Sequence, residues 1–170
     1  MSNDRLSTMT ATATPQAPIV LERFLPYRLN VLAGVVSSAL AQIYEERFGL
    51  SIPGWRIVAT LGQYGVRTAR DIAAHGVMHK STVSRAVSAL EARGLVRREG
   101  NPDDLREELL VLTPAGRAVY DALAPEALAF EARLLAALPP SERKALFEIV
   151  ERLDRHARGL ARELLQEAAE

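Results

Sequence analysis

The sequence predicts a mainly α-helical protein with a small β-wing, a winged helix-turn-helix carrying long N- and C-terminal dimerisation helices. Three observations predict it. Apolar residues recur at helical spacing in both end segments. A hydroxyl-rich helix stops at Gly94 and runs into two short β-like stretches, "LVRRE" and "LLVLT", separated by the polar, turn-rich "GNPDDLREE". The end helices also have wide apolar stripes and no large domain to cover, so a second subunit is the simplest way to bury them.

The elements follow in order. Residues 1–18 are rich in Ser, Thr, Ala and Pro without periodicity and read as a disordered tail. Residues 19–50 form the N-terminal dimerisation helix. Leu29, Leu32, Ala33, Val36, Leu40, Ile43 and Tyr44 make its stripe, Pro26 sits in its first turn and Gly49 stops it. Residues 51–113 form the winged helix-turn-helix. Ser51 caps a helix to Tyr64 whose stripe is Trp55, Val58, Ala59 and Leu61, and Thr68 caps a short helix ended by Gly76. The fourth helix and a two-stranded hairpin complete the region. Residues 114–170 supply the C-terminal dimerisation helices. Thr113 and Pro114 start the first of these as N-cap and N1, with a break at Pro125. The last has the stripe Leu146, Ile149, Val150, Leu153, Ala157, Leu160 and Leu164.

Composition excludes several classes. The 170 residues are 48% apolar and 25% charged, the balance of a folded globular chain. With no cysteine, disulfides, Cys-ligated zinc and thiol redox sensing are out. No apolar run approaches the ~18 residues a membrane span needs and no signal pattern opens the chain, so a cytoplasmic protein without a membrane partner is expected. Formal net charge is zero, which makes no case for nucleic acid by itself. Arg67 to Arg106, however, carries a local excess of three positive charges.

On a helical wheel, Val83, Ala86, Val87 and Leu90 of "HKSTVSRAVSALEARGLVRR" share one face. The opposite face is centred on Ser81, Arg85 and Ser88, with Thr82, Ser84 and Ala89 at its flanks. Short side chains allow close approach to a major groove, hydroxyls meet phosphate or base edges, and arginine can chelate guanine. The same face also suits a solvated helix on which Ser81 and Thr82 are caps. Position favours the first reading. Gly94 permits a left-handed cap, Arg97 and Arg98 emerge where a phosphate backbone would pass, and Arg106 sits in the hairpin tip, placed for a minor groove. Asp104 is positioned to pair with Arg106 and hold it extended.

"STVSRAVSALEARGLVRR", "DDLREELLVLTPAG" and, upstream, "FLPYRLNVLAGVVSSALAQIYEERFGLSIPGWRIVATLG" together resemble the MarR (multiple antibiotic resistance regulator) family of transcription factors. The resemblance covers roughly Leu21 to the C-terminus. It implies a homodimer whose end helices interlock and whose two winged lobes bind a pseudo-palindromic double-stranded DNA operator, usually as a repressor. It assigns groove contact to Ser81, Thr82, Ser84 and Arg85, with Ser88 on the same face. Phosphate contact goes to Lys80, Arg97 and Arg98, and the wing tip to Asp104 and Arg106. The family often has Asp-Arg-Arg at the wing. This chain has Asp104-Leu105-Arg106 followed by Glu107 and Glu108, which removes one cation and places two carboxylates near the tip.

The resemblance further implies a small anionic, often aromatic, effector between the dimer helices and the DNA-binding lobe. Arg28, Tyr44, Trp55 and His75 are the candidate lining, with Tyr27 and Arg56 beside them; an arginine would hold a carboxylate and a ring would stack. Trp55 and Tyr44 equally suit the core, and Arg28 and Arg56 suit surface ion pairs. His75 and His79 are four apart, but Gly76 interrupts the helix a zinc pair would need and no carboxylate pair completes a set. No metal or cofactor is therefore assigned. No nucleophile motif or Gly-rich phosphate loop supports an enzyme. Two alternatives stay open: a metal-responsive regulator, and a winged-helix module for protein–protein assembly with little specific DNA binding.

Overall fold

A computed structural model describes residues 18–102, 104 and 106–169. The tail expected over residues 1–18 lies outside it except for Pro18. The elements are α1 (Leu25–Phe48), α2 (Ile52–Tyr64), β1 (Arg67–Thr68), α3 (Ala69–Gly76), α4 (Lys80–Ala92), β2 (Val96–Gly100), β3 (Glu108–Leu112), α5 (Pro114–Leu135) and α6 (Pro140–Glu167). A 3-10 turn, Leu21–Arg23, precedes α1. The chain divides into two compact units, one ending at Ser37 and one beginning at Ser38. The first holds the 3-10 turn and the first half of α1. Its Leu29, Leu32 and Val35 are exposed.

The second unit holds the core. Tyr44, Leu50, Ile57, Val58, Leu61, Ile72, Val83, Val87, Leu110 and Leu123 are each about 2% exposed or less, and each such aliphatic side chain contributes about 1.5–3 kcal/mol. On α2 the buried face is Ile57, Val58 and Leu61, while Trp55 and Ala59 are half-buried. The expected stripe was thus rotated from the true one, because α2 packs on both α4 and α5 and no single wheel face describes it.

Local chemistry sets the helix ends. The Ser51 hydroxyl accepts from the Gly54 N–H at 3.2 Å, and Thr113 accepts from Gly116 at 3.0 Å. At α3 the capping is reciprocal: Thr68 Oγ1 accepts from the Asp71 N–H at 3.1 Å and Asp71 Oδ2 accepts from the Thr68 N–H at 3.2 Å. Hydrogen bonding of the Asp71 carboxyl to Thr68, first by its hydroxyl and then by its backbone N–H, holds that carboxyl below its ordinary value, with Arg70 and Arg67 assisting. Thr68→Ala should lower stability by about 1 kcal/mol. A depressed carboxylate stabilises the fold above its unfolded value, near ~3.9, and the contribution is lost as pH falls through the lower folded value. The deficit of the variant should therefore shrink in acid below about pH 4. Urea midpoints across the acid range check this, and a deficit that grows in acid would contradict it.

Four expectations need correction. The hairpin is part of a three-stranded antiparallel sheet in the order β1-β3-β2. Arg67 lies opposite Leu110 and Thr68 opposite Leu109, and on the other edge Val96 lies opposite Leu112 and Arg98 opposite Leu110. A two-residue strand has no periodicity of its own and exists only through its partner. Second, α3 ends at Gly76 as expected, but the left-handed step falls to Val77, at φ +48°. A Cβ at Gly76 would stand 2.9 Å from Met78 Cε, the end of a flexible side chain that can move aside. Third, α5 runs unbroken through Pro125. Pro125 and Asp121, whose carbonyl loses its donor, are both exposed, and solvent serves that carbonyl. Fourth, the N-cap of α4 is His79, without a side-chain capping bond, so Ser81 and Thr82 do not cap it.

Candidate nucleic-acid interface

Helix α4 is held from beneath by Val83, Ala86, Val87 and Leu90, all buried. The opposite side presents Ser81, Ser84, Arg85 and Ser88, all exposed, with Thr82 half-buried and Lys80 exposed at the helix start. Among the described residues no carboxylate pairs with Arg85 or Lys80. At the far end Gly94 adopts φ +65°, its N–H bonds Glu91 O at 2.8 Å and the Leu95 N–H bonds Leu90 O at 2.9 Å. Leu95 thereby tucks under the helix and is buried. The Arg93 guanidinium donates to Phe48 O and, at 3.0 Å, to Gly49 O, fixing the end of α4 to the end of α1.

In the wing, Asp104 Oδ1 accepts from the backbone N–H of Arg106 at 2.9 Å. Asp104 therefore shapes the turn, and the expected pairing with the Arg106 guanidinium is replaced by this backbone bond. Arg106 is exposed, and among the described residues its guanidinium has no ion-pair partner. Asp103 and Leu105 lie outside the described residues. Arg97 pairs with Glu99, two residues on and on the same strand face.

The other wing cations are placed differently. Arg98 donates from Nε to both oxygens of Glu91 at 3.0 Å and from Nη1 to Glu108 at 2.6 Å. These bonds, Glu108 first, push its already high pKa further up. Arg70 on α3 pairs with Glu107 at 2.9 Å. The two carboxylates expected near the tip are thus each bound to an arginine. Arg70 carried no signal in the sequence, since its partner is far along the chain. A cavity of about 420 Å³ between α3, α4 and the wing is lined by Arg70, Lys80, Ser84, Arg98 and Glu107 among others.

Of the four residues expected at an effector site, the structure brings two together. Tyr44 and Trp55 stack with ring centroids 5.6 Å apart. Tyr44 is buried, and burial raises its phenol pKa. His75 instead meets Tyr64 edge-on at 5.1 Å, and Arg28 lies exposed in the unit ending at Ser37. A cavity of about 1010 Å³ lies between the α3–α4 turn and α6, with Ala73, Val77, Met78, Ala157 and Ala161 as its apolar wall and Arg70, Lys80 and Arg162 among its cations. Sequence reasoning missed it because α3 and α6 are far apart in the chain. Among the described residues no cluster of three metal-ligating side chains occurs, and no helix is long and apolar enough to cross a membrane.

A helix-turn-helix whose second helix presents hydroxyls and an arginine that has no carboxylate partner among the described residues, beside a β-wing, has the architecture of a winged-helix regulator. The chain belongs to the MarR family. The family's sequence model matches residues 50–107. The HTH-type transcriptional regulator YwoH of Bacillus subtilis (strain 168) is 31% identical over 126 residues, spanning 74% of this chain and 90% of that protein. A MarR family regulator from Silicibacter pomeroyi is 34% identical with a TM-score of 0.68, covering 79% of this chain and 90% of that one. BpsR of Bordetella bronchiseptica, whose DNA binding is regulated by 6-hydroxynicotinic acid, shares the fold at 22% identity and a TM-score of 0.71, covering 81% and 98%.

Proposed function

We propose that this regulator is a repressor that binds a pseudo-palindromic operator as a homodimer and is released by a small aromatic or anionic ligand. The observation that carries the DNA reading is the division of α4 into a buried face and an exposed face of Ser81, Ser84, Arg85 and Ser88. On this reading those side chains and Thr82 meet base edges and adjacent phosphates, Lys80 and Arg97 meet phosphates, and Arg106 enters the flanking minor groove beside the turn that Asp104 shapes. Residues 51–113 are the DNA-binding region.

Residues 19–50 and 114–170 serve the dimer. Leu146, Ile149, Val150, Leu153, Leu160 and Leu164 of α6 are all exposed in one chain, an apolar stripe too long to leave in water. Ligand control is supported by the cavity beside α6, whose apolar wall and cationic rim suit an amphipathic anion. Ligand control of DNA binding occurs within this fold, in BpsR. A ligand releases DNA only by favouring a spacing of the recognition helices that the operator does not fit.

The test is selection of duplexes from a randomised pool by the purified protein, with mass measured on the complex. Enrichment of an inverted repeat bound by two chains is expected. No enrichment would leave a protein–protein assembly module as the reading. A thermal-shift screen of aromatic acids, their thioesters and divalent metals, followed by release assays on the selected duplex, then tests the ligand class. Release by metals alone would replace the ligand reading with metal response.

A further inference from the structure

We infer that Arg98 and Arg70 are positioning residues that fasten the wing to the reading head through Glu108, Glu91 and Glu107, and do not themselves contact phosphate. This rests on the DNA-binding reading above.

The register of the sheet is the starting point. Arg98 lies opposite Leu110, and Val96 opposite Leu112. By strand alternation Arg98 therefore shares its face with Val96, Leu110 and Leu112, of which Val96 and Leu110 are buried. Its aliphatic stem runs along the margin of the core and its head needs carboxylates at the rim. Glu91, on the last turns of α4, supplies both oxygens, and Glu108, at the start of β3, supplies a third acceptor. One guanidinium thus joins the recognition helix to both strands of the wing. The Arg98 side chain is 35% exposed, against 58% for Arg97 on the opposite face.

Arg70 and Glu107 form a second tie, from the first turn of α3 to the residue just ahead of β3. The ties flank the cavity between α4 and the wing. Beyond β2 and β3 the described tip residues Asn101, Pro102, Asp104 and Arg106 are polar or turn-forming and none of them is buried. The angle at which it presents Arg106 is then set at its base. To reach phosphate, either arginine would first give up its carboxylates.

The sign of one experiment separates positioning from charge. Removing carboxylates beside a DNA surface should, by electrostatics alone, tighten binding. If Glu107 and Glu108 orient the wing, E107Q/E108Q should instead weaken it by about fivefold, as expected of two partly exposed pairs. The probe is a duplex selected by the parent protein, titrated from about 50 to 200 mM salt. R98Q should weaken binding with an unchanged salt slope, whereas loss of a phosphate contact lowers the slope by about one. In an R106A background the E107Q/E108Q loss should disappear, since the groove contact it orients is already gone. Tighter binding by E107Q/E108Q, a slope reduced by R98Q, or a loss undiminished in R106A would each overturn the proposal. Should R98Q fail to fold, E108Q and R70Q, at exposed rims, carry the same comparison.

If the parent selects no duplex, it is the DNA-binding reading that fails. The ties are then judged by amide hydrogen exchange over residues 96–100 and 108–112 of the free protein, which should be faster in E107Q/E108Q. Unchanged exchange would overturn them without reference to DNA.

Discussion

Gly116→Ala is expected to lower the unfolding free energy by about 3 kcal/mol, the upper end of what overpacking costs. The reason is contact with backbone. The start of α5 lies flush against the turn that ends α4. The Thr113 N–H bonds Leu95 O at 3.1 Å, the Thr113 hydroxyl donates to Gly94 O at 2.6 Å, and the same hydroxyl accepts the Gly116 N–H. A Cβ at position 116 would stand 2.9 Å from the carbonyl carbon of Leu95 and closer still to its oxygen. A backbone carbonyl has no rotamer by which to move aside, so relief requires breaking the Thr113 bonds or lifting Leu95 from the core. Gly62→Ala is the graded comparison. Its Cβ would meet the ring of Tyr120, 2.6 Å from Cγ, but a half-buried ring can shift and the loss should be smaller. Urea unfolding of the variants gives the order, and a Gly116→Ala midpoint equal to that of the parent would contradict the packing described.

The same junction shows what is legible in a sequence. Ser51, Thr68 and Thr113 announce helix starts because a cap is a bond between residues three apart. The inner face of α4 was visible for the same reason, since periodicity within one helix records which side is buried. What could not be read depends on partners distant in the chain. β1 is two residues long and exists because Leu109 and Leu110 lie beside it. Glu107 looks like a free tip charge until α3 brings Arg70 to it. Arg97 and Arg98 look equivalent as a basic pair, yet strand alternation sends them to opposite faces, and the inward one meets Glu91 from α4. That alternation was available beforehand: "LVRRE" placed on a sheet with Val96 inward puts Arg98 inward too. The cavity assembled from α3, the α3–α4 turn and α6 is the extreme case, for which no local pattern exists.

Arg85→Ala should remove most of the preference for the selected operator while leaving binding to arbitrary duplex DNA nearly intact. Arg85 is the exposed cation at the centre of the outer face of α4, flanked by Ser81, Ser84 and Ser88, and among the described residues it has no carboxylate partner. A guanidinium in that position is available for a bidentate contact to guanine, worth about 1–3 kcal/mol of discrimination, or roughly tenfold to a hundredfold in affinity for the preferred site. The serines beside it are short enough to let the helix descend that far, which is why a single long side chain can dominate the readout. Lys80→Ala supplies the contrast. At the first position of α4, a lysine meeting phosphate supports binding to every sequence alike, so its loss should weaken specific and nonspecific complexes together and lower the salt slope of both by about one. The two variants therefore differ in kind: one narrows the gap between specific and nonspecific affinity, the other moves both downward. Titrations of each against the selected duplex and a scrambled duplex, over one salt series, measure the difference. An unchanged footprint for Arg85→Ala would take that residue out of the reading face. Equal losses on both duplexes would make it a second phosphate contact, leaving sequence readout to the serine hydroxyls and to the wing.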